Sequence, residues 1–103
     1  MDPRPIGVFD SGVGGLTVLH ECLVTMPHED FVYLGDAARL PYGPRPLPEI
    51  RRYAHEIASF LEAEGVKLIL VACNAATSAA LPELQERLRV PVLGVITPEA
   101  RAA

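Results

Sequence analysis

The sequence is short of cysteine, of positive charge and of long apolar runs, and each shortage excludes something. Only Cys22 and Cys73 are present. Two cysteines are too few for a disulfide scaffold, and neither stands in CxxC or His spacing suited to zinc, which fits a reduced compartment and a chain without metal. Nine Lys and Arg face thirteen Asp and Glu, a net charge of -4. No basic stripe is available to neutralise phosphates, so nucleic acid and anionic membrane are excluded as first partners. The most apolar stretch, residues 66–72, is interrupted by Lys67 and closed by Asn74. It is too short to span a bilayer, and the opening MDPRPIGVFD lacks the charged-then-apolar order of a signal peptide, so a cytoplasmic location is expected.

What is there is ordinary globular material, 50% hydrophobic and 21% charged over 103 residues. That length suits one small domain, residues 1–103, with no internal repeat, low-complexity segment or linker. Residues 6–9 form an apolar run that breaks at Asp10, Ser11, Gly12, Gly14 and Gly15, as a buried strand does on entering a tight turn. Leu16, Leu19, Leu23 and Met26 then recur at helical spacing until Pro27. Residues 31–35 read as a second strand. Residues 36–48 hold Pro41, Pro44, Pro46, Pro48 and Gly43, which predicts an ordered loop, neither helix nor paired strand, of a length that invites a functional explanation.

A helix follows, with Ile50, Tyr53, Ala54, Ile57, Ala58 and Leu61 on one face, Pro48 in its first turn and Gly65 just past its end. Residues 66–72 are aliphatic and β-branched without alternation, the mark of a strand covered on both faces. Residues 75–88 read as helix, with Pro82 implying a kink or a fresh start, and residues 91–95 as the fourth strand.

Regular alternation of strand and helix predicts an α/β fold, a parallel sheet of about four strands with helices on both faces. Ligands of such sheets sit outside the carboxyl ends of the strands. Those ends carry Asp10 and Ser11, Gly35 and Asp36, Cys73 and Asn74, then Ile96 and Thr97, so a carboxylate, a thiol, an amide and several N–H groups converge on one edge.

FDSGVGGLT lacks the glycine at position 17 that GxGxxG requires and the GK[ST] of a Walker loop, and Gly12 stands where an aspartyl phosphotransferase wants a second Asp. An anion-binding turn at a helix N-terminus and a plain tight turn both remain. Cys73 falls just before a helix, where N–H groups and the dipole favour a thiolate that serves as base or nucleophile; the alternative is a small buried hydrophobe. Cys22 lies on the apolar stripe of the first helix and reads as core. His20, His28 and His55 are scattered with no second ligand at metal spacing. Tyr42 is either a lid residue whose neighbouring N–H groups face the cleft or a packing residue of the proline-rich loop.

Three segments together, FDSGVGGLTV, YLGDAARLPYG and LILVACNAATSAAL, resemble the N-terminal half of the glutamate racemases, and the resemblance extends through EIRRYAHEIASFL and PVLGVITPEARAA. It implies a flavodoxin-like half of a two-domain enzyme that interconverts L- and D-glutamate without cofactor or metal, supplying D-glutamate to peptidoglycan. The family uses two bases: one cysteine thiolate removes the α-proton while a second cysteine protonates the other face. Carried onto this sequence, Cys73 corresponds to the first cysteine, and Asp10 and Ser11 to the pair at the substrate amino group and the catalytic thiol. Tyr42 and Gly43 correspond to the loop N–H groups that hold a carboxylate, and Asn74 to a substrate-binding amide. The family's threonine after ACN is Ala75 here, which leaves only its backbone N–H. Family members commonly carry glutamate and glycine where Thr97 and Glu99 stand.

The second domain, with its opposing cysteine, is expected to be absent. Three readings follow: a racemase fragment, inactive alone because its chemistry requires absent residues; a face-to-face homodimer in which the Cys73 of each copy takes one role; and an anion or amino-acid binding module or related aspartate racemase.

Overall fold

In the computed structural model, which describes residues 2–11, 15–39 and 42–95 without the side chains of Gly15 and Leu16, strands and helices alternate along the chain. Strands β1 (Ile6–Asp10), β2 (Phe31–Gly35), β3 (Leu68–Val71) and β4 (Val92–Gly94) form one parallel sheet in the order β2-β1-β3-β4. This is the flavodoxin-like arrangement of a doubly wound fold. Helix α1 (Gly15–Thr25) covers one face of the sheet, and α2 (Leu47–Ala63) and α3 (Asn74–Arg87) cover the other. The expected α/β architecture is the one observed.

Pleating sorts the strand residues between the two cores. Ile6, Val8, Leu70 and Ala72 meet α1, while Phe9, Ile69 and Val71 meet α2 and α3. All five residues of β1 are buried, as a strand needs to be when helices lie on both faces. Full burial of a side chain such as Phe9, Ile57 or Leu61 contributes roughly 1.5–3 kcal/mol, and these three lie in one cluster on the α2 side.

Helix α2 buries Ile50, Tyr53, Ala54, Ile57, Ala58 and Leu61, the stripe that the spacing gives. Pro48 stands in its first turn, where its missing N–H has no helical partner to lose. At the other end Gly65 takes a φ of +87°, with its N–H on the Glu62 carbonyl and the Val66 N–H on that of Leu61. That pairing stops the helix and turns the chain toward β3, with Val66 and Leu61 both in the core.

Three expectations are corrected, and of the two readings of Pro82 one is set aside. Leu23 is 48% exposed, and the buried side of α1 is Val18, Leu19, Cys22 and Met26; i, i+4, i+8 spacing from Val18 sets that face, and Leu16 lies outside the described side chains. Residues 36–48 are not all loop, since Ala37–Arg39 form a 3-10 turn and α2 starts at Leu47. The four prolines stand at 41, 44, 46 and 48, so residues 37–39 keep their N–H groups, and the Arg39 N–H closes the turn on the Asp36 carbonyl. Pro82 starts no new helix, because α3 runs through it. Strand β3 is shorter than residues 66–72, although the Lys67 and Ala72 N–H groups still bond to the carbonyls of Pro5 and Phe9.

Candidate functional site

A parallel sheet delivers every carboxyl end to one edge. From β1 the chain first moves outward to β2 and then crosses to β3 on the other side, which makes the β1/β3 boundary the switch point at whose carboxyl edge sheets of this kind form their crevice. Asp10 and Ser11 stand on one lip of that crevice, and Cys73 and Asn74 on the other. The Ala72 N–H bonds to the Phe9 carbonyl at 2.7 Å and closes the last registered pair of β1 and β3, Phe9 and Val71, so Ser11 and Cys73 each follow that pair by two residues on their own strands.

Cys73 caps α3. Its backbone is extended, and its Sγ accepts the N–H of Ala76 at 3.5 Å. The sulfur is buried among the α2-side core residues. Asn74 follows as the first residue of the helix and is exposed, and Ala75 is half-buried against the core. Thr77 does not replace the hydroxyl lost at Ala75, because its Oγ1 donates to the Val71 carbonyl at 3.4 Å.

Asp10 is wholly buried, and Ser11 nearly so. Alternation from Phe9 puts Asp10 on the α1 face, where the Tyr33 hydroxyl donates to its Oδ2 at 3.1 Å. The Tyr33 phenol is pushed up to about 12, first by burial and then by the charge and hydrogen bond of Asp10. Asp10 and Cys73 thus approach the same edge from opposite faces of the sheet.

The loop after β2 is organised by Asp36. Its N–H donates to the Asp10 carbonyl at 2.8 Å, and its Oδ2 accepts Arg39 Nε at 2.7 Å and the Tyr42 hydroxyl. Arg39 also donates to Glu56 at 2.7 Å and lies 4.0 Å over the ring of Tyr53. Arg45 donates to the Arg39 carbonyl and to Glu49, which joins the loop to the first turn of α2. The Tyr42 ring is 1% exposed and packs on Phe9 and Tyr53, so its side chain belongs to the core and what it can offer a ligand is backbone. Burial raises its phenol, and the bond to Asp36 and the nearness of Asp36 and Cys73 add to the rise. Gly43 is exposed, with nothing within 4 Å of the place a Cβ would occupy.

Residues 12–14, which would make the anion-binding turn, and Ile96, Thr97 and Glu99 lie outside the described residues. Cys22 is half-buried against α1's side of the sheet, away from Cys73, and burial followed by the charge of Glu21 raises its thiol. His20 and His28 are exposed, and His55 is half-buried 3.5 Å from Glu83. Among the described residues no group of three or more His, Cys, Asp or Glu side chains is placed to hold a metal ion, and no helix is long and apolar enough to cross a membrane. Sequence reasoning assigns Tyr33 and Arg39 no role and Tyr53 only a place on the apolar face of α2; the one available sign is Tyr33 two residues before a glycine at a strand end.

A thiol and a carboxylate at the switch point of a doubly wound parallel sheet mark this edge as the candidate site of an α/β domain. Residues 15–103 match the family described as Asp/Glu/Hydantoin racemase, and the chain belongs to that family. It is 63% identical over 103 residues to the glutamate racemase of Thermus thermophilus, a match that covers 99% of this chain and 40% of that protein. The crystal structure of glutamate racemase from Thermus thermophilus in complex with β-chloro-D-alanine superposes with a TM-score of 0.88 at 62% identity, over 99% of this chain and 40% of that one. Glutamate racemase from Francisella tularensis in complex with D-glutamate gives 0.86 at 43%, over 91% and 36%. The chain therefore spans about 40% of the length of the curated relatives it matches.

Proposed function

We propose that this chain supplies one half of a cofactor-independent glutamate racemase site, with Cys73 as the base on one face of the substrate. The observation that carries the reading is Cys73 at the N-cap of α3, two residues beyond the last β1/β3 pair at the carboxyl edge where Asp10 and Ser11 end β1. Relatives named glutamate racemase, one with D-glutamate bound, supply the substrate class.

The Cys73 thiolate takes the α-proton, the C–H electron pair stays on Cα as a carbanion conjugated with the carboxylate, and an acid on the opposite face returns a proton. An α-proton beside a carboxylate is very weakly acidic, so fixed donors and exclusion of water have to do much of the work. Asp10 faces the substrate ammonium, Ser11 lies beside the thiol, and the N–H groups of Tyr42 and Gly43 hold a carboxylate. Asn74 and the Ala75 N–H complete the binding set. Ala75, small and half-buried next to the thiol on α3, leaves space for the substrate.

Only one such thiol stands at this edge among the described residues. The opposing acid comes from chain beyond these residues or from a second copy placed face to face. D-Glutamate made in the cytoplasm would feed peptidoglycan synthesis.

Titration with L-glutamate, D-glutamate and L-aspartate, followed by amide shifts and calorimetry, tests the binding half of the proposal. Glutamate should move the amide signals of Ser11, Gly43, Asn74 and Ala75; shifts confined to other parts of the sheet would contradict the assignment, and preferential binding of aspartate would reassign the substrate.

A further inference from the structure

Along β2, Tyr33 and Gly35 point to the same face, and their partners on β1 are Val8 and Asp10. The Tyr33 side chain runs along its own strand, passes over Gly35 and reaches across to Asp10 Oδ2 at 3.1 Å. A Cβ on Gly35 would lie 2.9 Å from the Tyr33 hydroxyl and 3.3 Å from its Cζ, so the path exists only because residue 35 has no side chain. Asp10 itself is wholly buried at the end of β1, where a carboxylate's orientation is set by the donors it meets.

We propose that Tyr33 is a positioning residue for Asp10: its hydroxyl, admitted by Gly35, fixes the rotamer in which the carboxylate faces the crevice. This rests on the reading of Asp10 as a site residue given above. Tyr33 touches no substrate in this scheme and acts through Asp10 alone. Burial and the Asp10 charge both keep the phenol protonated, so the donor is present across the working pH range.

The test compares Tyr33→Phe, Gly35→Ala and the double variant in the full chain, with two readouts. The first is the χ1 population of Asp10 from carbon couplings in NMR, which needs no activity. The second is deuterium exchange at the glutamate α-carbon, resolved into kcat and KM. Tyr33→Phe keeps the ring and removes one donor; Asp10 should pass from a single rotamer to an average, and kcat should fall about tenfold to a hundredfold with KM little changed.

Gly35→Ala should do the same with the phenol still present, because it displaces the hydroxyl. The double variant should be no worse than Tyr33→Phe, since the Cβ then meets no hydroxyl. A single Asp10 rotamer surviving in Tyr33→Phe would overturn the proposal, and so would losses that simply add. Wild-type chain that exchanges no α-proton would count against the reading of the site instead, and Tyr33 would then be judged on the Asp10 rotamer alone.

Discussion

The N–H of Asp36 donates to the carbonyl of Asp10 at 2.8 Å, which ties the end of β2 to the end of β1 at the lip of the cleft. Because the same residue's carboxylate holds Arg39 and the Tyr42 hydroxyl, one aspartate sets both the strand ends and the loop that carries Gly43.

Removing the Tyr42 hydroxyl should therefore loosen the loop. Tyr42→Phe leaves the ring packed on Phe9 and Tyr53 and takes one donor from the largely buried Asp36. A hydrogen bond to a charged group contributes about 1.5–3 kcal/mol, and a loss of that size should show in urea unfolding. Amide exchange at Gly43 should rise with it.

Packing of α3 over β4 is close enough that Gly94→Ala should destabilise. The added Cβ would lie 2.7 Å from Thr77 Cγ2 and 2.9 Å from Leu81 Cδ2. Overpacking of this kind costs about 1–3 kcal/mol, and Thr77→Ser, which removes the nearer methyl, should recover part of it in the same unfolding experiment.

Alkaline pH should weaken the fold through Tyr33. Its phenol ionises near 10.0 when unfolded and is held up to about 12 when folded. Between those values the unfolded chain has released a proton that the folded chain retains, so stability is intact below pH 10.0 and falls as pH rises toward 12. Tyr42 shifts in the same direction and adds to the fall. Unfolding midpoints measured against pH, with phenolate absorbance as the monitor, give the slope; Tyr33→Phe should flatten it.

Much of this was open to reading in the sequence, and the exceptions have physical reasons. Helix α2 was legible residue by residue because its polar face is distinct, so the phase of Ile50, Tyr53, Ile57 and Leu61 is unambiguous. Helix α1 is apolar on several sides, so periodicity leaves its phase loosely determined: Leu19, Cys22 and Met26 face the sheet as the spacing expects, Val18 joins them, and Leu23 is exposed. The cleft edge followed from strand ends alone, which is why Asp10, Cys73 and Asn74 could be placed together. Tyr33 could not be found that way, because its reach to Asp10 depends on β1/β2 register and on an empty place at Gly35. Local chemistry leaves Tyr42 equally consistent with cleft and core; the packing of its buried ring on Phe9 decides for core.

The two cysteines separate chemistry from packing. Cys22→Ala should leave glutamate α-proton exchange unchanged, since that thiol packs on the α1 side of the sheet away from the cleft.

Cys73 is the central claim, and exchange in D2O tests it most directly. The chain is incubated with L-glutamate, α-proton loss is followed by NMR and handedness by circular dichroism, with Cys73→Ala as the comparison. Exchange by the wild-type chain that disappears in Cys73→Ala is the expected result, with inversion accompanying it only where a second acid reaches the opposite face. Exchange that persists undiminished in Cys73→Ala would contradict the assignment of Cys73 as the base.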